Sequence, residues 1–372
     1  MKKIAIVDYV GVKAGMHYYS LSLLKSLSKR GFKTFYISNT PSDYKDSSHT
    51  RIIPCFPQKA KKSFGGLVSI INSTLKSVFV LKQKQVKQLV FHVFEASYLT
   101  LFMLGIYRIC QFKIVGIVHD VKPFKGSNSK WIESLINNHL LSSITVHNQF
   151  TKEQLKKSDS YKGKTPISVI PHGNYNNQVG EPIEADKAKA KLGLDPSKDY
   201  MLFFGQIKGA KGLDILLKAF PENANVNLII AGKVWKEDFS KYQEIITERD
   251  LSEKVDLYIR HISDEERDLF FRASLFIVLP YKKIYQSGVL LMAMTYGLPA
   301  IVSDLSAFKE LDEEVVLKFE NGKPSSLRKK INQAIKSPEL LKNLSTNSKE
   351  IANHQHSWEL IAKQYEHLLL ES

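Results

Sequence analysis

Two lysines in a glycine-rich stretch near the middle of the chain are placed where they can bind a diphosphate. The stretch "QIKGAKGLD" follows the apolar run "YMLFFG" and carries Lys208 and Lys211 ahead of a helix-like segment. Ammonium groups attract phosphate as point charges, and the free N–H groups of a helix start add to this attraction. The pattern favours a diphosphate site, and a solvated lysine turn is the structural alternative.

A second stretch suited to an anion is "QSGVLLMAMTYGLPAIVSD", from Gln286 to Asp304. It has the rhythm of a strand end, a helix and the next strand, and it contains almost no charge. Ser287 and Gly288 begin the predicted helix, which ends at Gly297. Small residues at a helix start allow an anion to approach the backbone closely.

In the first half of the chain, two strand ends carry candidate residues. His119 and Asp120 follow the strand "KIVGIV", where a side chain can point into a cleft; a lone histidine is also compatible with a structural role. Gly11 and Gly15 lie in "GVKAGMHYY" after the first strand. This stretch is not a G-x-G-x-x-G motif, and no acidic residue follows the second strand, which argues against a dinucleotide fingerprint.

These residues can form common sites only if the strands before them are neighbours in parallel sheets. Apolar runs separated by helix-like segments predict such sheets. The first half has the predicted strands "IAIVDYV" (4–10), "TFYIS" (34–38), "LVFHVF" (89–94), "KIVGIVHD" (113–120) and "ISVIPHG" (167–173). The second half has "YMLFFG" (200–205), "VNLIIAG" (226–232), "VDLYI" (255–259), "LFIVLP" (275–280) and "PAIVSD" (299–304). We expect an α/β protein with two Rossmann-like, doubly wound domains.

The predicted organisation has four parts. These are a first domain over 1–175, a linker rich in turn-forming residues over 176–198, a second domain over 199–353 and a C-terminal segment over 354–372. The C-terminal segment contains the amphipathic helix "HSWELIAKQYEHLLL" (356–370), for which Ser357 is the predicted N-cap.

Composition limits the classes of protein that the chain can be. The 372 residues are 43% hydrophobic and 24% charged, which indicates a globular protein, and no apolar run reaches the ~20 residues of a membrane span. The N-terminus lacks a signal-peptide pattern, so the cytoplasm is the expected location. The two cysteines, Cys55 and Cys110, have no metal-ligand or disulfide spacing.

The positive charge is confined to the first half. Residues 1–175 contain 26 Lys and Arg against 8 Asp and Glu, a net of +18, so the remaining residues carry 27 against 29, a net of −2. Lys59, Lys61 and Lys62 open a basic strip (59–87) with an apolar middle. The strip either lies peripherally on an anionic membrane surface or is an ordinary amphipathic helix. Nucleic acid is disfavoured, because no recognition module accompanies the charge.

Taken together, these stretches resemble the retaining nucleotide-sugar glycosyltransferases of the GT-B fold, family 4, over nearly the whole chain. "AGMHYYSLSLLKSLSKRGF" is similar to the family's glycine loop and first helix, and "VHD" to its strand-end histidine. "FFGQIKGAKGLDILLKAF" resembles its phosphate loop, and "YGLPAIVSD" its Gly-x-Pro strand. The resemblance implies two Rossmann-like domains facing a cleft, an N-terminal acceptor-binding domain, a C-terminal nucleotide-sugar-binding domain and a final helix returning to the first domain.

The chain departs from the family pattern at two places. Gln206 occupies the usual arginine position of the phosphate loop, while Lys208 adds a cation two residues later and Lys211 retains the family lysine. Ile284 and Met292 occupy the two positions of the Glu-x7-Glu motif, so both carboxylates are absent. A subset of the family with "Q-S-G-V-L" at this position is similar, and Glu310 is a candidate replacement for a missing carboxylate.

The resemblance implies transfer of a sugar from a nucleoside diphosphate sugar to a glycan or lipid-linked oligosaccharide acceptor, with retention of configuration, in surface polysaccharide or glycoconjugate biosynthesis. It implies a hexosyltransferase-type enzyme that needs no metal or further cofactor. His119 and Lys211 are the expected catalytic residues. The expected donor-binding residues are Gly15, Gly205, Lys208, Lys211, Gly212, Ser287, Gly288, Val289, Met292 and Glu310.

The main alternative is a catalytically weak, glycosyltransferase-like subunit that binds a nucleotide sugar or a partner enzyme. Ile284 and Met292 are the residues that favour it. A sugar-nucleotide 2-epimerase of GT-B fold is disfavoured because it needs carboxylates in the cleft. A nicotinamide dehydrogenase is disfavoured because the second half has a cation loop and no dinucleotide fingerprint.

Overall fold

The computed structural model describes residues 2–11, 16–39, 50–57, 64–119, 121, 129–221, 225–236 and 238–371. The chain forms two compact units. The first unit comprises Met1–Gly173 together with His356–Ser372, and the second comprises Asn174–Gln355.

The first unit is built on a parallel sheet of seven strands in the order β3-β2-β1-β4-β5-β6-β7. Its strands are β1 (Lys3–Asp8), β2 (Lys33–Ser38), β3 (Thr50–Pro54), β4 (Gln88–Val93), β5 (Lys113–Val118), β6 (Ser143–Val146) and β7 (Ile167–Val169). Its helices are α1 (Met16–Lys29), α2 (Phe64–Gln83), α3 (Tyr98–Ile109), α4 (Lys130–Leu135), a π-helix (Ile136–Leu140) and α5 (Gln149–Lys156). The strand order reverses between β1 and β4, which is the doubly wound arrangement.

The C-terminal helix α13 (Trp358–Glu371) packs onto α1 in the first unit. Its buried residues Ile361 and Leu369 share a hydrophobic cluster with α1, and the hydroxyl groups of Tyr19 and Tyr365 lie 2.9 Å apart. The Ser357 hydroxyl accepts a hydrogen bond from the Leu360 N–H at 3.3 Å. This confirms the predicted N-cap and the return of the last helix to the first domain.

The second unit is built on a parallel sheet of six strands in the order β10-β9-β8-β11-β12-β13. Its strands are β8 (Tyr200–Phe204), β9 (Asn227–Ala231), β10 (Val255–Tyr258), β11 (Phe276–Leu279), β12 (Ala300–Ser303) and β13 (Leu317–Phe319). Its α-helices are α6 (Ala185–Lys191), α7 (Leu213–Ala219), α8 (Ser240–Glu248), α9 (Asp264–Ala273), α10 (Gly288–Tyr296), α11 (Pro324–Lys336) and α12 (Pro338–His354). Short 3-10 helices span Asn176–Gln178, Gly209–Lys211, Ser252–Lys254 and Ser306–Phe308.

Both faces of this second sheet are buried, as its nearly continuous apolar strands predict. Along β8, Met201 and Phe203 belong to the hydrophobic cluster on one face, whereas Tyr200 and Leu202 belong to the cluster on the other. Helix α10 lies on the second of these faces and is itself covered by α12. A helix buried on both sides has no face for charged residues, which explains the uncharged sequence around Met292.

All ten strands predicted from sequence are present, which confirms the α/β, two-domain fold class. Three short strands, β3, β6 and β13, were not predicted. Residues 176–198 were predicted to form a linker, but they fall within the second unit. They contain a 3-10 helix and α6, and α6 packs on α9.

Candidate functional site

The candidate site in the second unit lies where the strand order reverses, between β8 and β11. We call this place the switch point. The chain winds from β8 to β9 and β10 on one side, and from β11 to β12 and β13 on the other. Loops at the carboxyl ends of the two central strands therefore diverge and leave room for a ligand. These are the loops that contain the two lysines and Ser287.

Gly212 holds the lysine turn against the end of β11. Its φ angle of +69° is unfavourable for other residues, and a Cβ atom there would lie 1.8 Å from the Pro280 carbonyl oxygen. From the segment that follows β11, the Lys282 N–H donates a hydrogen bond to the Ala210 carbonyl of the lysine turn at 2.9 Å. The 3-10 turn Gly209–Lys211 is thus fixed at the switch point by its backbone.

Tyr281 links Lys211 to the start of α10. The Lys211 Nζ lies 3.6 Å from the centroid of the Tyr281 ring, and the Ser287 hydroxyl donates to the Tyr281 hydroxyl at 3.4 Å. Tyr281 is fully buried, and its carbonyl accepts from the Ser303 hydroxyl at 2.6 Å. A cation over an aromatic face is attracted without being neutralised, so Lys211 is positioned with its charge retained. Tyr281 was not predicted as a site residue, although it directly follows the strand "LFIVLP".

The first turn of α10 offers backbone N–H groups. The Ser287 hydroxyl accepts from the Leu290 N–H at 3.1 Å and is thus the N-cap. Within the described part of the chain, the Gly288 and Val289 N–H groups have no hydrogen-bond partner. Such groups at a helix start attract anions. Gly205 adjoins this turn, because a Cβ atom on it would lie 3.4 Å from Val289 Cγ2.

The segment that contains Lys208 pairs with the segment that contains Trp235. Ile207 and Val234 form an isolated parallel bridge, and the Trp235 N–H donates to the Ile207 carbonyl at 2.9 Å. Ile207 and Val234 both face the hydrophobic core, so the next residue on each strand points the other way. The Trp235 side chain is 47% exposed. The Lys236 Nζ lies 5.5 Å from the centroid of the Trp235 ring. This exposed aromatic side chain was also not predicted from the sequence.

Three further positions were named from the sequence. Met292 and Ile284, which occupy the family's glutamate positions, are partly buried and pack against the hydrophobic cluster that includes α10. Glu310 is exposed in the turn that follows the 3-10 helix Ser306–Phe308, one strand further along the sheet.

His119 lies in the first unit, at the carboxyl end of β5, and is partly exposed. Its ring stacks on Phe94 with centroids 4.9 Å apart and an interplanar angle of 10°. Its Nε2 atom lies 2.9 Å from Nδ1 of His92, a buried residue of β4. Since Nε2 is occupied, Nδ1 is the ring atom left to contact a ligand.

Four histidines follow one another along this edge of the first sheet. His119 and His147 have ring centroids 5.5 Å apart, His147 and His172 5.4 Å apart, and His92 stacks on His119. Burial lowers the pKa of His147 to about 4 and that of His172 to about 3. Burial, followed by the neighbouring imidazoles, also holds the pKa of His119 well below its ordinary value. The cluster is therefore neutral at pH 7.

The histidine cluster does not form a metal centre. In the ranges that the structure describes, no group of three or more His, Cys, Asp or Glu side chains is arranged to hold an ion. Gly15, Asp120, Lys59, Lys61 and Lys62, all named from the sequence, lie outside the described residues.

Two Rossmann-like domains, the second with a cationic, glycine-lined switch point, define a protein of GT-B fold. Two solved structures of similar fold cover the whole chain. Sucrose-phosphate synthase from Thermosynechococcus elongatus has a TM-score of 0.81 at 18% identity, with 100% of both chains covered. Anabaena HepE in complex with UDP-glucose has a TM-score of 0.78 at 16% identity, again with 100% of both chains covered.

Sequence comparison identifies the second unit more closely. Residues 184–351 match the family described as glycosyl transferases group 1. The lipopolysaccharide core biosynthesis mannosyltransferase LpsB of Rhizobium meliloti (strain 1021) is 27% identical over 153 residues, which is 39% of this chain and 43% of that relative. The chain thus spans less than half the length of this curated relative. The matched family region lies in the second unit, which contains the switch point.

Proposed function

We propose that this protein is a glycosyltransferase of the hexosyltransferase type. It moves a sugar from a nucleoside diphosphate sugar to a glycan or lipid-linked acceptor, with retention of anomeric configuration, in surface polysaccharide or glycoconjugate biosynthesis. The observation that carries this proposal is the switch point of the second unit, where Lys211 lies over the Tyr281 ring and the Tyr281 hydroxyl contacts Ser287 at the start of α10. LpsB, a mannosyltransferase of lipopolysaccharide core biosynthesis, supports the class of reaction.

The residues of the switch point suit the charge that develops when a nucleoside diphosphate departs. Lys211 is held over Tyr281 with its charge retained, and the N–H groups of Gly288 and Val289 are ready to donate. Preorganised donors of this kind stabilise the transition state because they need no rearrangement during reaction. In the proposal they take the role that a metal ion has in other transferases, and His119 hydrogen-bonds the transferred sugar.

One observation favours the catalytically weak alternative, in which the protein binds a nucleotide sugar without turning it over. Ile284 and Met292 pack into the hydrophobic cluster, so neither position provides the carboxylate that the family uses for the nucleotide. Both candidate functions need the phosphate contacts, and only turnover separates them.

A panel of nucleoside diphosphate sugars that differ in base and sugar identifies the donor. We expect one or two of them to raise the melting temperature, because a ligand at 100 times its Kd adds about 2.7 kcal/mol of stability. Inorganic pyrophosphate is the matched control for binding by charge alone. A panel in which no donor exceeds pyrophosphate contradicts the proposal.

Release of free nucleotide in the presence of an acceptor then separates the enzyme from the non-catalytic subunit. We expect release to continue in excess EDTA, because lysine and amide donors replace a metal in the proposal. Binding without release supports the alternative, and loss of release in EDTA refutes metal independence.

We further propose that helix α2 rests on an anionic membrane surface. Within the described residues, no helix has the length and apolar character needed to cross a bilayer. Val68, Leu75 and Phe79 lie on one face of α2 and are 38%, 48% and 63% exposed. Lys76 and Lys82 flank this face. Each lysine near an anionic surface adds about 1 kcal/mol of attraction. The apolar side chains stabilise binding further when they insert into the lipid interface.

Vesicle sedimentation tests this surface. We expect binding to vesicles with anionic phosphatidylglycerol, little binding to pure phosphatidylcholine, and about tenfold weaker binding for the Leu75→Ser, Phe79→Ser double variant. Leu370→Ser in α13, where the side chain is 49% exposed, is the matched control. Equal binding of the double variant and the control argues against docking through α2.

A further inference from the structure

Two aromatic side chains of the first unit lie together in an exposed position. The rings of Tyr98 and Trp131 make an edge-to-face contact, with centroids 5.8 Å apart and an interplanar angle of 65°. Tyr98 is 70% exposed and Trp131 is 51% exposed. Single exposed apolar residues are common, but two large rings exposed side by side are typical of a binding surface.

The aromatic pair belongs to the carboxyl edge of the first sheet. Tyr98 begins α3, which follows β4, and Trp131 lies in the first turn of α4, which follows β5. The strands β4 and β5 are hydrogen-bonded neighbours. His119 follows β5 at this same edge, where open α/β sheets bind their ligands.

A small cavity with a polar lining opens at the same edge. It has a volume of about 20 Å³ and reaches Val93 and Val118, the last residues of β4 and β5. Val118 is followed by His119, and Val93 by Phe94, whose ring stacks on His119. A cavity of this size holds one water-sized group, such as a single hydroxyl. Its polar lining residues are Glu95, Glu133, Asn137 and Ser160.

Asn137 presents an unused amide to this cavity. It belongs to the π-helix Ile136–Leu140 and is only 7% exposed. In the part of the chain that the structure describes, its side-chain amide has no hydrogen-bond partner. Because buried polar groups are normally paired, an unpaired amide at a cavity wall indicates that a ligand or a water binds there. Turns of π-helix are also frequent at functional sites.

The charge at this edge is opposite to that of the surrounding half of the chain. Residues 1–175 contain 8 acidic residues, and Glu95 and Glu133 are two of them. Among the described residues, Glu95 forms no ion pair. Carboxylates accept hydrogen bonds from hydroxyl groups and repel anions, so the lining favours a neutral ligand that is rich in hydroxyl groups.

We propose that this edge is a sugar-binding subsite, in which a neutral sugar ring stacks on Tyr98 and Trp131 and one of its hydroxyl groups enters the cavity. Aromatic faces cover the apolar C–H groups of the ring, and Glu95, Glu133 and Asn137 pair with its hydroxyl groups. We call these five residues the aromatic subsite. The inference rests on the proposed function for the identity of the ligand, which is a sugar of the acceptor.

Sugar binding is measured without a donor. In protein labelled with 15N-tryptophan, Trp131→Phe identifies the Trp131 indole signal by its loss. We expect a methyl glycoside of glucose, mannose or galactose to shift this signal to saturation. Glycerol, which has hydroxyl groups but no ring, is the control ligand. If no glycoside shifts the signal more than glycerol does, the proposal is overturned.

Removal of the ring tests stacking directly. We expect Trp131→Ala to weaken glycoside binding about tenfold, measured by saturation-transfer difference NMR of the glycoside. Ile109→Ala is the matched control, because Ile109 is a 79% exposed apolar residue at the other end of α3. Since both side chains are exposed, neither substitution should affect folding, and melting temperatures check this. Equal affinities of the two variants contradict stacking on Trp131.

The two glutamates are tested by the charge of the ligand. We expect the uronic acid of the same configuration to bind about tenfold more weakly than the neutral glycoside, because its carboxylate is repelled. The double variant Glu95→Gln, Glu133→Gln should remove most of this difference. Glu153→Gln, at an exposed position of α5, makes a like change of charge and should retain it. A difference that persists in the double variant contradicts the placement of both carboxylates at the sugar.

A membrane surface is the other class of partner that uses exposed tryptophan and tyrosine. The two carboxylates disfavour an anionic bilayer at this edge. We therefore expect Trp131→Ala to sediment with phosphatidylglycerol vesicles as the unsubstituted protein does. Loss of sedimentation, without any response of Trp131 to glycosides, assigns the aromatic pair to the membrane and overturns the proposal.

Kinetics connect the aromatic subsite to the proposed reaction. We expect Trp131→Ala to raise KM for the acceptor about tenfold and to leave kcat and the donor KM unchanged, because the ring contacts only the acceptor. Equal changes for donor and acceptor contradict this role. Glycoside binding at Trp131 without nucleotide release rejects the proposed function and leaves the subsite intact. Nucleotide release without any Trp131 response rejects the subsite alone.

Discussion

Replacing Lys211 by alanine is expected to lower kcat/KM for the sugar donor ten- to a hundredfold. Hydrogen bonds to charged groups are worth about 1.5–3 kcal/mol, and each 1.4 kcal/mol of transition-state stabilisation is tenfold in rate. The proposal places Lys211 against the departing diphosphate, where this full amount applies. Its position is fixed by the Tyr281 ring at 3.6 Å and by the close approach of Gly212 to Pro280, so no neighbouring lysine takes its place without movement.

Lys218→Ala is the matched control for Lys211→Ala. Lys218 lies in the last turn of α7 with an exposed side chain, so its loss changes the net charge equally without touching the switch point. Both variants are checked for folding by their melting temperatures, and donor turnover is measured at saturating acceptor. Turnover of Lys211→Ala within twofold of the unsubstituted protein refutes the assignment of Lys211 to the diphosphate.

Several predicted strands have apolar runs that are long enough to show burial on both faces. The strand β9, "NLIIA", is buried at every residue. By contrast, β6 is the four-residue segment "SITV", whose Ser143 and Thr145 are buried only because neighbouring strands and helices cover them. The strand β13 has three residues with Lys318 in the middle. Their strand character comes from tertiary pairing, which local sequence does not show.

The parts of the site that depend on local chemistry were also predictable. Gly212 and Lys211 are adjacent in sequence, and a glycine-flanked lysine before a helix is a local signal. Tyr281 and Trp235 reach the same edge only through the pairing of β11 and β9 with β8. A single sequence does not give this register, so their position at this edge had to come from the structure.

The same limit applies to the surroundings of His119. His92 lies inside the run "LVFHVF", where the sequence indicates only a polar residue in a buried strand. Its contact with His119 follows from the register of β4 and β5, in which Val93 pairs with Val118. Ser20, whose hydroxyl lies 3.0 Å from His92 Nε2, comes from α1. The family resemblance indicated His119, and the fold supplies the residues that contact it, His92 and Phe94.

The first unit is expected to lose stability steeply as the pH falls from 7 to 5. Burial lowers the pKa of His147 to about 4 and of His172 to about 3, whereas an unfolded histidine titrates near 6.5. Between these values the unfolded chain binds protons that the folded chain does not. Stability is therefore present above about pH 6.5 and is lost on acidification, by about 4 kcal/mol for the two histidines between pH 7 and 5.

Urea unfolding of a Trp235→Phe variant at pH 7 and pH 5 measures this loss, because the two remaining tryptophans, Trp131 and Trp358, both lie in the first unit. His147→Asn preserves a donor for the Ile170 carbonyl, which the His147 Nδ1–H contacts at 3.0 Å, and removes the titrating ring. We expect this substitution to remove about half of the pH-dependent loss. His139→Asn, at an exposed position of the same unit, should leave the loss unchanged. If His147→Asn and His139→Asn show the same pH dependence, the buried histidines are not its source.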